Sequence, residues 1–313
     1  PGYDTTGWAL PYVYPDMNRA CSPGNLEKRT IPFLYRKNRK FEKVMQLGEN
    51  ALFAKEEWED FLFEKRSLCI PEKSTVSVEI SAGEEMTGYL HLLMEKGSGA
   101  WIKILQSEAY VLGEEIGDLK VPLKGDREDM VHGYLDGFTD QYKCAGYGTV
   151  DEPEIYEPFW FRTFRFIRLE IITQEEPLIL QKFDYTETGY PLEVKTKAAA
   201  SDERFGKIWE ISERTMRRCM HETYEDCPFY EQLQYAMDAR TQILYTYAVT
   251  ADDRLAKRCM EDFRRSQRYD GLLNCAAPRY DASVIPGFSI YYILMLYDHM
   301  MYFGDKELLE KHL

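Results

Sequence analysis

Glu222-Thr-Tyr-Glu-Asp-Cys-Pro-Phe-Tyr-Glu-Gln-Leu-Gln-Tyr-Ala-Met-Asp-Ala-Arg240 packs five carboxylates, three tyrosines and one proline into nineteen residues. Helical periods flank it on both sides. Ahead of it, Phe205, Ile208, Trp209, Met216, Cys219 and Met220 recur at largely helical intervals, with Ser201 or Asp202 as the N-cap. Pro228 suits the first position of a second helix, with Leu233, Met237, Ile243, Leu244 and Tyr247 on one broad face. A third helix spans Asp253 to Ser266 and is closed by Tyr269-Asp-Gly271. The fourth, Phe288 to Phe303, is apolar on nearly all sides and is expected to be buried. Gly304-Asp305 opens a fifth. Successive helices with short loops predict stacked helical hairpins, a bundle or barrel. Too few are present to close a barrel, so residues 196–313 read as its N-terminal part, truncated in this chain.

Upstream the period is two. Val76-Ser-Val-Glu-Ile80, Gly88-Tyr-Leu-His-Leu-Leu-Met94, Trp101-Ile-Lys-Ile-Leu105, Phe164 to Ile172 and Leu178 to Phe183 read as strands. Glu95 to Ala100 and Glu175-Glu-Pro177 supply turns. Residues 46–195 are therefore expected to form an antiparallel β-sandwich domain. The acidic and aromatic stretch Asp151 to Arg162 reads as packing at a sandwich edge, with a sugar cleft as the sharper alternative. Residues 1–45 carry five prolines and no sustained period. They read as an irregular connector from an upstream domain, in which Arg36-Lys-Asn-Arg-Lys40 is a solvated basic run. The opening Pro1-Gly2-Tyr3-Asp4 looks cut from something longer, so the compartment is not legible.

Composition narrows the partners. A net charge of −14 disfavours nucleic acid and anionic membranes, because phosphate binding needs clustered Lys and Arg. No run of ~18 apolar residues would insert in a membrane. Seven cysteines, among them Cys21, are an odd number without Cys-x-x-Cys spacing, so neither a zinc ribbon nor a disulfide framework is expected. No metal or cofactor is predicted. Oligomeric state is not legible.

Chemistry concentrates in the opening stretch. Carboxylates grip hydroxyls, and aromatic faces cover the apolar side of a pyranose ring. On a helix begun at Pro228, Glu231 and Asp238 lie two turns apart on nearly one face, with Asp226 at its mouth. Three acids so placed could hold a polyol and keep one proton, provided burial and like charge outweigh the positive helix end. The same residues also read as a solvated helix start with an Asp cap. Asp226-Cys227 near His221 reads as a buried, inert cysteine before a Cys-His nucleophile. His299 reads as a hydrogen-bonded core histidine before a metal ligand, and Asp252-Asp253 as a helix cap.

Asp226-Cys-Pro-Phe-Tyr-Glu-Gln-Leu-Gln-Tyr-Ala-Met-Asp-Ala-Arg240 resembles the signature of the α-L-rhamnosidases of glycoside hydrolase family 78. The flanks agree at Asp270-Gly-Leu272, Val284-Ile-Pro-Gly-Phe-Ser289 and Tyr156-Glu-Pro-Phe-Trp-Phe-Arg-Thr-Phe-Arg165. The resemblance covers most of the chain from residue 46 onward. It implies β-sandwich domains ahead of an (α/α)6 barrel, and an inverting exo-glycosidase that removes terminal α-L-rhamnose from glycans or glycosides. Glu231 then matches the general acid, and Asp226 and Asp238 match acids that bind the sugar hydroxyls. Tyr235 stands where many members have Trp and would pack on the ring. The general base would lie beyond Leu313. Three positions depart from the pattern: Tyr230 for a common Arg, although one branch reads Cys-Pro-Tyr-Tyr-Glu, Met237 for Gly, and Ala239 for Thr. Tyr230 remains a substrate-binding candidate. Met237 favours the alternative, a degenerate or different-sugar relative that binds carbohydrate. A further alternative is a scaffold whose acids face bulk solvent.

Overall fold

A computed structural model describes residues 4–11, 28–116, 119–279 and 281–312. Pro1, Gly2, Tyr3, Cys21 and Leu313, named above, lie outside them, as do two more of the five prolines of the expected connector, Pro15 and Pro23. The first part of the chain runs β1 (Tyr35–Arg39), β2 (Lys43–Leu47), α1 (Lys55–Leu62), β3 (Leu68–Ile70), β4 (Thr75–Lys96) and β5 (Trp101–Ser107). It continues with β6 (Tyr110–Ile116), β7 (Leu119–Leu123), β8 (Tyr134–Leu135), β9 (Phe138–Lys143), β10 (Glu154–Tyr156), β11 (Arg162–Ile172) and β12 (Leu178–Gly189). Five helices follow: α2 (Glu203–Arg218), α3 (Ala236–Val249), α4 (Arg254–Arg265), α5 (Pro286–Phe303) and α6 (Lys306–His312).

The two strands expected at 76–80 and 88–94 are halves of one bent strand, β4. Its first half pairs with β2 and β11, its second with β10 and β12. One chain segment therefore serves both layers of an antiparallel β-sandwich, as strands do at sandwich corners. The corner falls where Gly83 takes φ +87°. At Gly88 a Cβ would sit 2.8 Å from the Thr186 carbonyl oxygen, so only glycine lets β12 approach. Alternation puts Val76, Val78 and Ile80 from the first half, and Leu90, Leu92 and Met94 from the second, into one core with Phe164, Phe183 and Tyr185. Helix α1, which the alternation did not announce, adds Trp58, Phe61 and Leu62 to that core. The run Arg36–Lys40, read as a solvated linker, instead supplies all but the first residue of strand β1, with Arg36 to Arg39 paired against β12. There Arg36 pairs with Glu157 and Arg39 with Glu187.

Asp202 caps α2 by accepting the Arg204 N–H, as its position suggested. The helices α2 to α6 form the beginning of an (α/α)6 barrel, and among the described residues they are fewer than six hairpins require. Helix α5 departs from expectation. Tyr292, Met295, Leu296 and His299 are buried towards its neighbours, whereas Ile290, Ile293, Tyr297 and Met301 are exposed. Helices α3, α4 and α6 cover one side of it, and no other described element covers the opposite side. For the same reason Phe205, Ile208 and Ile211 of α2 stand exposed while Met216 is buried.

Sandwich and helices are clamped together at Arg218, the last residue of α2. Its guanidinium donates to the Glu85 carbonyl at 2.9 Å, to Glu187 at 2.8 Å and to Glu84 at 3.2 Å. Glu187 also accepts from Arg39 Nε at 2.6 Å and from Tyr35 Oη at 2.9 Å. Burial alone would push the Glu187 carboxyl up; the bonds from Arg218, Arg39 and Tyr35 outweigh it and hold it at about 2. Both partners of the Arg218–Glu187 pair are only 7% exposed, so removing one strands a buried charge.

Arg218→Met is therefore expected to cost about 3 kcal/mol of stability, measured by urea unfolding. A depressed carboxyl stabilises the fold above its ordinary value near 4.5 and loses that contribution as pH falls towards 2. The variant's stability curve should accordingly be flatter than that of the wild type over this acid range. Parallel curves would show that Arg218 does not hold the charge.

Candidate active site

The stretch at 226–233 is a closed turn and not a helix. Asp226 N–H donates to the Leu233 carbonyl at 2.9 Å, and Leu233 N–H returns a bond to Asp226 Oδ1 at 2.9 Å. Inside this closure Gln232 adopts φ +52°, and its side-chain amide donates to the Pro228 carbonyl at 2.7 Å. Side chains that satisfy nearby backbone groups compete with helix formation. Here they win, and the helix expected from Pro228 begins only at Ala236, with Tyr235 as N-cap. Gln234 holds the extended exit by accepting from Tyr224 N–H at 3.1 Å and donating to the Ala277 carbonyl at 2.7 Å. The sandwich reaches in as well: Thr163 Oγ1 donates to the Pro228 carbonyl at 2.5 Å.

This correction moves the acids. Glu231 lies on the turn, clear of the positive end of a helix, and Asp238 takes the place in the first turn of α3. Ligand atoms of Asp226, Cys227 and Glu231 lie within 4.8 Å of one another. The hydrogen bond with Asp226 and the charge of that carboxylate raise the Glu231 carboxyl above its ordinary value, with smaller contributions from burial and Asp238. Burial raises Asp238, a backbone hydrogen bond opposes this, and the charge of Asp226 adds to the rise. Asp226 and Glu231 thus come together on the turn, while Glu231 itself is exposed. Asp226 and Asp238 line a cavity of about 720 Å³ between α2 and α3, together with Trp209, Met216, Met237 and Gln242.

The two tyrosines part company. Tyr235 is half-buried with its ring edge-on to Phe288 of α5 at 6.4 Å. Tyr230 is 53% exposed and turned towards the sandwich, with Lys124 Nζ 4.7 Å from its ring centroid. Met237 is 41% exposed and lines the cavity beside Asp238.

Residues outside the expected set support the turn. His221 Nδ1 sits 3.1 Å from Glu225 in a buried pair, and Phe161 of the sandwich stacks on the imidazole at 4.1 Å. Burial raises the Glu225 carboxyl against the opposing pull of His221. Phe161 is in the Asp151–Arg162 stretch, whose edge packing also includes Glu154, accepting from the Ala145 and Gly146 N–H groups. His221 thus engages Glu225, and burial pushes the Cys227 thiol up, the opposite of an activated nucleophile. His299 takes a bond with Tyr247 Oη at 2.8 Å. Beside it Lys257 Nζ lies 2.9 Å from both Asp253 and Asp305, where a metal ion would have to sit. Asp252 Oδ1 accepts the Arg254 N–H at 3.2 Å, whereas the side chain of the N-cap residue Asp253 makes no cap bond.

Residues 195–313 match the family model of the bacterial α-L-rhamnosidase six-hairpin glycosidase domain. This part of the chain is a six-hairpin glycosidase domain homologous to the family 78 α-L-rhamnosidases. The family 78 rhamnosidase of Bacillus sp. GL1 is 25% identical, with a TM-score of 0.60 over 77% of this chain and 23% of its own. A Klebsiella oxytoca rhamnosidase with rhamnose bound is 18% identical, with a TM-score of 0.65 over 89% of this chain and 54% of its own. A Streptomyces avermitilis α-L-rhamnosidase complexed with L-rhamnose is 15% identical, with a TM-score of 0.52 over 78% of this chain and 23% of its own. The last two likenesses concern the fold alone. This chain thus spans between about a quarter and a half of the length of these enzymes. No curated protein matches it by sequence. No helix among the described residues is long and apolar enough to cross a membrane.

In the six-hairpin domain, Asp226→Asn keeps an oxygen for the Leu233 N–H but removes the carboxylate whose hydrogen bond and charge raise Glu231. The Glu231 carboxyl is expected to titrate at lower pH in this variant, followed by its side-chain ¹³C chemical shift. An unmoved midpoint would show that Asp226 does not control it.

Proposed function

We propose that this chain carries part of the active site of an inverting exo-glycosidase that hydrolyses terminal α-L-rhamnosides. The observation that carries this reading is that the Asp226 and Glu231 carboxylates lie together on the closed turn, with Asp238 sharing a cavity wall with Asp226, and that the hydrogen bond and charge of Asp226 raise the Glu231 carboxyl. Glu231 protonates the glycosidic oxygen as the bond to the sugar breaks. Asp226 and Asp238, at the wall of the larger cavity, accept hydrogen bonds from the sugar hydroxyls. Tyr235, beside Asp238 at the head of α3, packs on the ring. Inversion needs a base about 6.5–9.5 Å from the acid to activate water. In this reading the base comes from sequence following Leu313. The homology of the six-hairpin domain supports the reaction class, and the sugar is the finer step.

A second reading rests on Met237, whose side chain occupies cavity wall where the family has glycine. A sugar crowded there would be bound without being cleaved, or a different sugar would be preferred.

In the full-length protein, Glu231→Gln is expected to lower kcat on an aryl α-L-rhamnoside by about 10²–10⁴-fold. The first sugar product should have the inverted anomeric configuration by ¹H NMR. A wild type already as slow as the variant would sink the enzyme reading, and a gain of activity in Met237→Gly would favour the second one.

A further inference from the structure

A second cavity, of about 250 Å³, opens where the sandwich meets the turn that carries Glu231. The turn contributes Phe229 and Tyr230, the two residues immediately before Glu231; the sandwich contributes Glu108, Lys124, Asp136 and Phe138. Resting on the glycosidase reading, we propose that this cavity receives the leaving group of the substrate, and that the group it fits is a single neutral sugar.

Position is the first argument. A general acid delivers its proton to the bridging oxygen, so the departing unit lies across the acid from the sugar whose hydroxyls are held. Asp226 and Asp238 line the larger cavity between α2 and α3, whereas Phe229 and Tyr230 line the smaller one. Glu231 follows Tyr230 directly, so one turn serves both cavities.

Construction is the second. Phe138 packs on Phe229 at 5.3 Å between ring centroids, and Tyr230 meets Phe229 edge-on at 4.9 Å. Lys124 is ion-paired with Glu108 and lies over the Tyr230 ring. The wall therefore offers aromatic surface together with an ammonium and carboxylates, the combination that a pyranose uses through its C–H face and its hydroxyls. The seam is held by the Thr163–Pro228 bond, with Gln232 Nε2 3.4 Å from Thr163 Oγ1.

Charge and size settle the class. Among the described lining residues one cation, Lys124, faces two carboxylates, Glu108 and Asp136, a negative balance that would repel a uronate. The volume equals that of about eight liquid waters, room for one pyranose ring and not for a long chain.

The test compares two substrates of the full-length protein: a rhamnosyl-hexose disaccharide, and α-L-rhamnosyl fluoride, whose leaving group fills no sugar pocket. Lys124→Met and Phe138→Ala are each expected to lower the disaccharide-to-fluoride ratio of kcat/KM by about tenfold, the loss of one good contact. Thermal unfolding midpoints near that of the wild type show that each variant folds, and Glu108→Gln replaces either one that does not. An unchanged ratio overturns the leaving-group assignment, as does a wild type that cleaves the fluoride but not the disaccharide. A wild type that prefers a rhamnosyl-uronate overturns the neutral-sugar class. A wild type that cleaves neither rhamnoside removes the parent reading, and this inference with it.

Discussion

The reciprocal bonds between Asp226 and Leu233 are the constraint on which the rest of the site depends. They close eight residues into a turn, deny Pro228 the helix its position suggests, and leave Glu231 at the surface beside the Asp226 carboxylate. One Asp226 oxygen is committed to the backbone, so the residue acts as brace and as charge at once. Were the segment helical from Pro228, Glu231 would sit in a first turn, where the helix end favours the ionised form. The closed turn removes that opposition.

The turn is not held by its own bonds alone. Thr163 and Phe138 of the sandwich engage Pro228 and Phe229, Phe161 covers His221, and Arg218 binds the end of α2 to the corner of β4 and to β12. The β-sandwich is thus the second wall of the site as well as a neighbour of the helical domain. Long-range bonds of this sort fix the height and angle of the turn, and a displacement of about 1 Å at a reacting group is enough to matter.

Several elements are legible in local pattern because their cause is local. Alternation in Val76, Val78 and Ile80 and in Leu90, Leu92 and Met94 reports strands, and Asp202 ahead of an amphipathic run reports a helix start. What pattern does not report is that the two strand runs are one strand turning a corner, since both halves alternate equally well. Nor does it show that Arg36 to Arg39 pair with β12, because charged edge strands look like linkers until the partner strand is placed. The exposed side of α5 is similar. Its composition suits burial all round, but exposure is a property of what packs there.

For the site, the sequence by itself determined the cast: Asp226, Glu231 and Asp238 at a helix entrance, with Tyr230 and Tyr235 beside them and a family signature in their spacing. Only the tertiary structure decided the geometry. It placed Glu231 on a turn, sent Tyr230 to the sandwich and Tyr235 to α5, and set Glu108, Lys124 and Phe138 within reach of that turn. The physical reason is that residue type and spacing encode which groups are available, whereas their direction depends on hydrogen bonds from segments more than sixty residues away, and the rise of the Glu231 carboxyl on the turn that brings Asp226 against it.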